Sequence, residues 1–267
     1  MDMHAALIDG YNRSAPVYDR TAGMIYLRNL QRLLPRVLIG PAPSVLDLGC
    51  GTGINLLEAA SVLGPCHRLH GIDIAPRMID EARRKAAAAG VSATFEVGDA
   101  QHVALDDASF DLVICNGAYH WFSDRSRAVA DMSRVLRPGG QVILACVADP
   151  GFQEWARIVD DVRGRLLQEQ RSCFPPLPTP AEMMEHLRHA GLSLEHLEYE
   201  VCPTAVPDNR AFLQTMAVIA PTWIAGLPAG RDREVVTAVT EALARRAPDP
   251  FVVTTAGLGS ISRKPVS

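Results

Sequence analysis

Two patterns of apolar residues alternate along the first 147 positions. Short, mostly apolar runs fall at Val45 to Leu48, Arg68 to Asp73, Ala93 to Val97, Phe110 to Asn116 and Gln141 to Val147. Between them apolar residues return every three or four positions, over Ile54 to Ala60, Ala75 to Gly90 and Asp124 to Leu136, the last turning Ala128, Val129, Met132, Val135 and Leu136 to one side. Buried strands give the first pattern and amphipathic helices the second, so their alternation predicts an α/β chain around a parallel sheet. Residues 4 to 39 read as a helical cap broken at Ser14-Ala15-Pro16, with Met24, Leu27, Leu30, Leu34 and Leu38 as its apolar face.

Beyond Val147 a helix is predicted through Trp155, Ile158, Val159, Val162, Leu166 and Leu167, followed by an extended connector over CFPPLPTP, residues 173 to 180. Thr179 and Pro180 open a helix that Gly191 closes. Residues 192 to 201 read as a strand, and 208 to 223 and 231 to 247 as helices. A final strand covers Phe251 to Thr255 and resumes near Gly257 to Ser262.

The stretch VLDLGCGTG, Val45 to Gly53, indicates what such a sheet would carry. Its glycines at 49, 51 and 53 fall in a turn between strand and helix, where bare main chain can approach a ligand. A dinucleotide site spaces its glycines G-x-G-x-x-G, whereas these run G-x-G-x-G and Ile54 follows. Asp47 at the strand end would repel a diphosphate and suit an ammonium, which favours a ligand with an amino-acid tail whose carboxylate meets the helix start. Asp73, at the tip of the neighbouring strand, can accept both hydroxyls of a ribose.

These residues resemble the first motif of class I S-adenosylmethionine-dependent methyltransferases. YNRSAPVYDR, residues 11 to 20, resembles the segment before the core in ubiquinone-type C-methyltransferases and in the malonyl-carrier carboxyl methyltransferases of biotin synthesis. His120-Trp121 resembles the aromatic pair after the fourth strand of carboxyl and related small-molecule methyltransferases, and LRPGG a further, structural signature. The resemblance implies a Rossmann-like, seven-stranded, mostly parallel sheet with an antiparallel last strand, and S-adenosyl-L-methionine as cofactor. It implies cofactor contacts from Asp47, Gly49, Cys50, Gly51, Gly53, Asp73, Ile74, Met78, Asp99, Ala100, Asn116 and Tyr18. Ile74 and Met78 would flank the adenine, and Asp99 would accept from its amino group while the next backbone N–H meets a ring nitrogen.

One domain over 1–267 is expected, with a helical cap at 1–40 and a cofactor-binding core at 41–148. Lid insertions would fall at 149–178 and 203–248, and the rest of the sheet at 179–202 and 249–267. Both insertions would emerge at the carboxyl edge of the sheet, above the cofactor.

In-line methyl displacement needs a nucleophile held about 3 Å from the methyl, with water excluded. Gly117 to Phe122, GAYHWF, enters the crevice where open α/β sheets bind ligands, and His120 and Tyr119 are its catalytic candidates. A carboxylate acceptor needs no base, whereas a phenol, enol or carbon acid gains from one; His120 reads equally as a structural histidine. Acceptor contacts are expected from Tyr11, Trp121, Trp155, Phe174, Met216 and Trp223, with Phe152 and Phe212 as further candidates, although such side chains also serve as core. Tyr11, Tyr18 and Tyr26 divide likewise between packing under the cap and lining the cofactor mouth. The expected reaction is O-, C- or carboxyl-methylation of a small molecule. One alternative is a methyltransferase-like scaffold using its pocket for other chemistry, and another, disfavoured by the glycine spacing and Asp47, is a nicotinamide-dependent oxidoreductase.

A net charge of −4 and a pI near 6.1 leave no basic footprint for nucleic acid. The sequence CNGAYH also lacks the N/D-P-P-Y pattern of amino-methylating nucleic-acid enzymes. No run approaches the ~20 apolar residues that span a bilayer, and MDMHAALIDGYNRSAP does not read as a signal peptide, so a cytoplasmic protein without a membrane partner is expected. Six cysteines without C-x-x-C pairs read as reduced thiols. His186 and His189 lack the H-E-x-x-H spacing and sit beside Glu182 and Glu185, which predicts a solvated, ion-paired face and no metal.

Overall fold

Helices α1 (Met3–Ser14) and α2 (Gly23–Leu33) precede the sheet in the computed structural model, which describes residues 3–21, 23–206, 208–224, 227–228, 230–246 and 251–266. Helix α2 buries Tyr26, Leu30 and Leu33, whereas Met24 is 46% exposed and Leu38 falls beyond the helix, 73% exposed. The apolar face is therefore rotated from the predicted one. Tyr26 sets it, its ring lying over Gly117, where an added Cβ would come within 2.7 Å.

Strand β1 (Ser44–Leu48), buried throughout, leads through the glycine turn into α3 (Ile54–Leu63). Next come β2 (Arg68–Asp73), α4 (Pro76–Ala88), β3 (Thr94–Val97), β4 (Phe110–Asn116) and α5 (Arg125–Val135), the last capped by Asp124, which accepts from Arg127 N–H. Strand β5 runs Leu136–Val147 and so begins five residues before the predicted position. Arg137-Pro138-Gly139-Gly140 forms an irregular opening to the strand and not a loop before it. Phe110 pairs with Leu136 and Leu112 with Gln141, and Gly139 absorbs the offset at a φ of 84°.

The chain continues through α6 (Gln153–Leu167), α7 (Pro180–His189), β6 (Ser193–Val206), α8 (Asn209–Ile219), α9 (Asp232–Arg246) and β7 (Phe251–Arg263). Thr179 caps α7 by accepting from Glu182 N–H. The helix predicted over 208 to 223 stops at Ile219; a separate turn, Pro221–Trp223, follows because proline offers no N–H to continue the ladder. Ala247, the predicted end of α9, lies outside the described residues. Strands β6 and β7 outrun their predicted lengths by pairing with each other as far as Val206 and Phe251.

The seven strands form one sheet in the order β3-β2-β1-β4-β5-β7-β6, with β7 antiparallel to both neighbours and the other pairings parallel. Helices α5 and α7 enclose one core, and α2, α3 and α4 another. A separate cluster joins α6, α8, α9, the Pro221–Trp223 turn and the first residues of β7, placing Trp155, Met216, Trp223, Val239 and Phe251 together. Since β7 runs against the parallel strands, its first residues stand at their carboxyl edge, and so does this cluster.

Candidate active site

All three glycines after β1 have positive φ, 72°, 53° and 76° at Gly49, Gly51 and Gly53. L side chains avoid that region, and a Cβ on Gly49 would also lie 2.3 Å from the Ala118 Cβ. The turn and the segment after β4 therefore close on each other across bare main chain. Between them and the cap lies a cavity lined by Tyr11, Tyr18, Gly49, Gly51, Asp73, Ile74, Met78, Asp99, Ala100, Asn116 and Trp121. No lysine or arginine side chain lines it among the described residues, so its walls suit a neutral or cationic ligand better than a diphosphate.

Asp73 Oδ2 accepts from Gly51 N–H at 2.8 Å and Oδ1 from Ala75 N–H at 2.9 Å, which fixes the carboxylate while each oxygen keeps further acceptor capacity. Burial raises its pKa, and those N–H groups oppose the rise. For Asp99, burial is outweighed by hydrogen bonds from Gln101 and by His102, which hold the carboxyl below its usual range. Asp99 Oδ1 accepts from Gln101 N–H at 2.9 Å and from its Nε2 at 3.2 Å. Gln101 Oε1 in turn accepts from Ser123 Oγ and Asp124 N–H, tying the turn after β3 to the start of α5.

Three predicted residues do not line this cavity. Asp47 is fully buried beneath the turn, and neither carboxylate oxygen has a hydrogen-bond partner among the described residues. Burial pushes its carboxyl up to about 8; the Asn55 amide, beside it but outside hydrogen-bonding geometry, opposes this, and Asp73 adds to it. Asn116 Oδ1 is a further unpartnered buried acceptor, its Nδ2 being spent on Tyr26 O at 2.7 Å and Asn55 Oδ1 at 3.2 Å. Cys50 instead turns its sulfur into the core, where a Cβ on Gly71 would meet it at 2.9 Å. Gly53 faces α4 and β3, with room limited by Ala82 and Phe95 at 3.1 Å.

Trp121 lines this cavity and also a second one of ≈ 320 Å³ under the helical cluster. His120, Phe152, Trp155, Phe174 and Met216 line the second. Trp223 does not; it is buried behind Trp155, ring centroids 5.7 Å apart. Phe212 packs against the Trp155 ring edge without reaching the wall. Burial and then Arg125 lower the His120 pKa to about 3, so its imidazole is neutral at physiological pH, and its Nδ1 is buried without a partner among the described residues.

Tyr119 lines neither cavity. Its ring is fully buried among α5 and α7 residues, and its hydroxyl is hydrogen-bonded to His186 Nδ1 at 2.7 Å, which removes it from the catalytic candidates. His186 is accordingly half-buried and engaged, not part of a solvated face.

Several lining residues escaped the sequence reading. Gln101 lines the first cavity; Asp149, Gln153 and Pro175 to Leu177 line the second, as does Tyr26, which was expected under the cap or at the cofactor mouth. An amide two residues after an acid was the available signal for Gln101. For Pro175 to Leu177 only the fold supplies the position.

A Rossmann-like sheet, a glycine turn under a cavity and acids at two strand tips define a nucleoside-binding α/β protein. Residues 45–140 match the family model described as a methyltransferase domain. The chain is 33% identical to a malonyl-[acyl-carrier protein] O-methyltransferase of Serratia marcescens, over 82% of this chain and 79% of that protein. A Yersinia pestis protein of the same name is 29% identical, over 82% and 76%. A solved structure, the YcgJ protein from a Bacillus, superposes with a TM-score of 0.63 at 20% identity, covering 90% of this chain and 99% of that one. The chain belongs to the class I S-adenosylmethionine-dependent methyltransferases, enzymes that move a methyl group from that cofactor to an acceptor.

Proposed function

We propose that the two cavities flanking Trp121 hold donor and acceptor of a methyl transfer to a small molecule, with residues 149–178 and 203–248 as the lid and the N-terminal helices as a cap. S-adenosylmethionine supplies a methyl on a sulfonium, and the chain's residues bind, orient and exclude water. The observation that carries this reading is the set of unpartnered buried acceptors, Asp47 Oδ1 and Oδ2 and Asn116 Oδ1, below the glycine turn. An α-ammonium beside Asn116, with Asp47 beneath it, suits these acceptors, as a diphosphate does not. Asp73 then takes the ribose hydroxyls, Ile74 and Met78 the adenine faces and Asp99 its amino group, with Ala100, Tyr18, Gly49 and Gly51 completing the wall. Tyr11 and Trp121 stand where donor and acceptor meet, and Trp155, Phe174 and Met216 hold the acceptor. His120, neutral, orients an acceptor hydroxyl or enol.

A cytosolic setting is supported by the described cysteines, which are free thiols; no helix among the described residues is long and apolar enough to cross a membrane. Calorimetry with S-adenosylhomocysteine tests the donor site: binding is expected for the wild type and a loss of at least about tenfold for Asp73→Ala, two hydrogen bonds to a charged group being removed. No heat with the wild type would end the reading.

A further inference from the structure

The second cavity has a charge character that separates acceptor classes. Its walls are mostly aromatic, aliphatic and proline side chains, with Gln153 and Ser172 among the polar ones, and among the described lining residues none is lysine or arginine. Its titratable groups are His120, Asp149 and Tyr26, the last kept neutral by burial, which raises its pKa. The first is neutral, and the second would repel an anion. Asp149 Oδ1 is held by Gln153 Nε2 at 2.7 Å and its main-chain oxygen by the Tyr199 hydroxyl, so it stays at the wall.

Two nearby guanidinium groups, those of Arg125 and Arg157, are engaged elsewhere. Arg125 lies behind His120, donating to the His120 and Pro176 main-chain oxygens and pairing with Glu182 at 2.8 Å. Arg157 reaches Gln153 Oε1 at 3.2 Å from the solvent side and does not line the cavity. A carboxylate placed here would lose its hydration with no lysine or arginine on the wall to replace it, and burying a charge without a partner is unfavourable. An uncharged molecule with one hydroxyl or acidic C–H would lose little and gain from apolar burial.

We propose that the acceptor is an uncharged, largely apolar molecule offering a hydroxyl, enol or carbon nucleophile, and that carboxylates of the malonyl-carrier type are poor ligands of this chain. In the transfer the acceptor oxygen or carbon forms the new bond to methyl, the C–S electron pair stays on sulfur as a thioether, and the acceptor's proton passes to water. The proposal rests on the reading of this cavity as the acceptor site.

The test uses the full chain saturated with S-adenosylhomocysteine and two matched probe pairs, 2-naphthol against 2-naphthoate and indole against indole-3-carboxylate, titrated at pH 7 by calorimetry. At least one neutral member is expected to bind tenfold or more tightly than its carboxylate. Equal or tighter binding of the carboxylates, or binding of neither member of either pair, overturns the proposal. Gln153→Lys places an ammonium at the wall and is expected to improve naphthoate binding at least tenfold; no change would mean that charge does not set the preference and also overturns it. Failure of S-adenosylhomocysteine itself to bind would instead strike the methyl-transfer reading, so the two failures are distinguishable.

Discussion

Lys85 Nζ donates to Asp19 Oδ2 at 2.6 Å and to Thr52 Oγ1 at 3.2 Å, and Thr52 Oγ1 donates to Asp19 Oδ1, so that one lysine joins helix α4, the glycine turn and the segment between α1 and α2. Tyr18, next to Asp19, lines the first cavity, the donor site proposed above. The network therefore holds the cap down at the place where a nucleoside would have to enter.

Lys85→Met is expected to raise the Kd for S-adenosylhomocysteine about twofold to fivefold through faster dissociation, the range for a partly exposed ion pair. Stopped-flow fluorescence separates this from slower association, which would indicate a different role.

The two turn glycines should rank differently. Gly49→Ala brings backbone strain of about 1–3 kcal/mol together with a clash against Ala118. Gly51→Ala carries only the strain, since its Cβ would sit 3.8 Å from the Tyr18 ring. Thermal melts should place Gly49→Ala lower, and equal melting temperatures would count against the close approach of turn and loop.

Asp47 and His120 make opposite contributions to pH dependence. With its folded pKa raised from 3.8 to about 8, Asp47 keeps a proton that the unfolded chain has lost, so its contribution to stability disappears as pH rises through about 8. His120, lowered from 6.5 to about 3, stays neutral where the unfolded chain gains a proton, so its contribution disappears as pH falls below 6.5 toward 3. Of the two, only Asp47 acts between pH 6.5 and 8. Over that range the ligand-free protein should lose stability with rising pH, whereas affinity for S-adenosylhomocysteine should rise with proton release. Calorimetry in buffers of differing ionisation heat reads the release, and Asp47→Asn should abolish it.

Neighbouring residues 119 and 120 should behave differently. His120→Ala is expected to slow transfer about tenfold, the loss of one hydrogen bond, and not the hundredfold of a lost general base, because so weakly basic an imidazole cannot hold the acceptor's proton. Tyr119→Phe should cost about 1 kcal/mol of stability with kcat unchanged, since only its bond to His186 is lost. Rates and melts on the same preparations distinguish the two.

The parallel half of the fold was legible because each strand and helix carries its own periodicity, as in Phe110–Asn116, whose bounds match the reading. The positions of Asp73 and Asp99 at the first cavity could likewise be anticipated, since a parallel strand delivers the residues at and after its end to one edge. Side-chain direction within GAYHWF could not. A short 3₁₀ turn over Tyr119–Trp121 sends successive rings to different sides, a property of backbone dihedrals that residue types do not reveal. The face of α2 keeps Leu30 and, just past the helix, Leu34, but is turned toward Tyr26 for a related reason: Tyr26 is fixed by Gly117, ninety-one positions away.

Strand β7 occupies the slot between β5 and β6 while its opening residues, Phe251 and Val253, belong to the helical cluster above the second cavity. Frame and ceiling thus share a single length of backbone. Exchanging the second cavity for another, by grafting or recombination, would require splicing inside the sheet itself, so if it holds the acceptor as proposed, new specificity is more readily reached by altering wall residues one at a time.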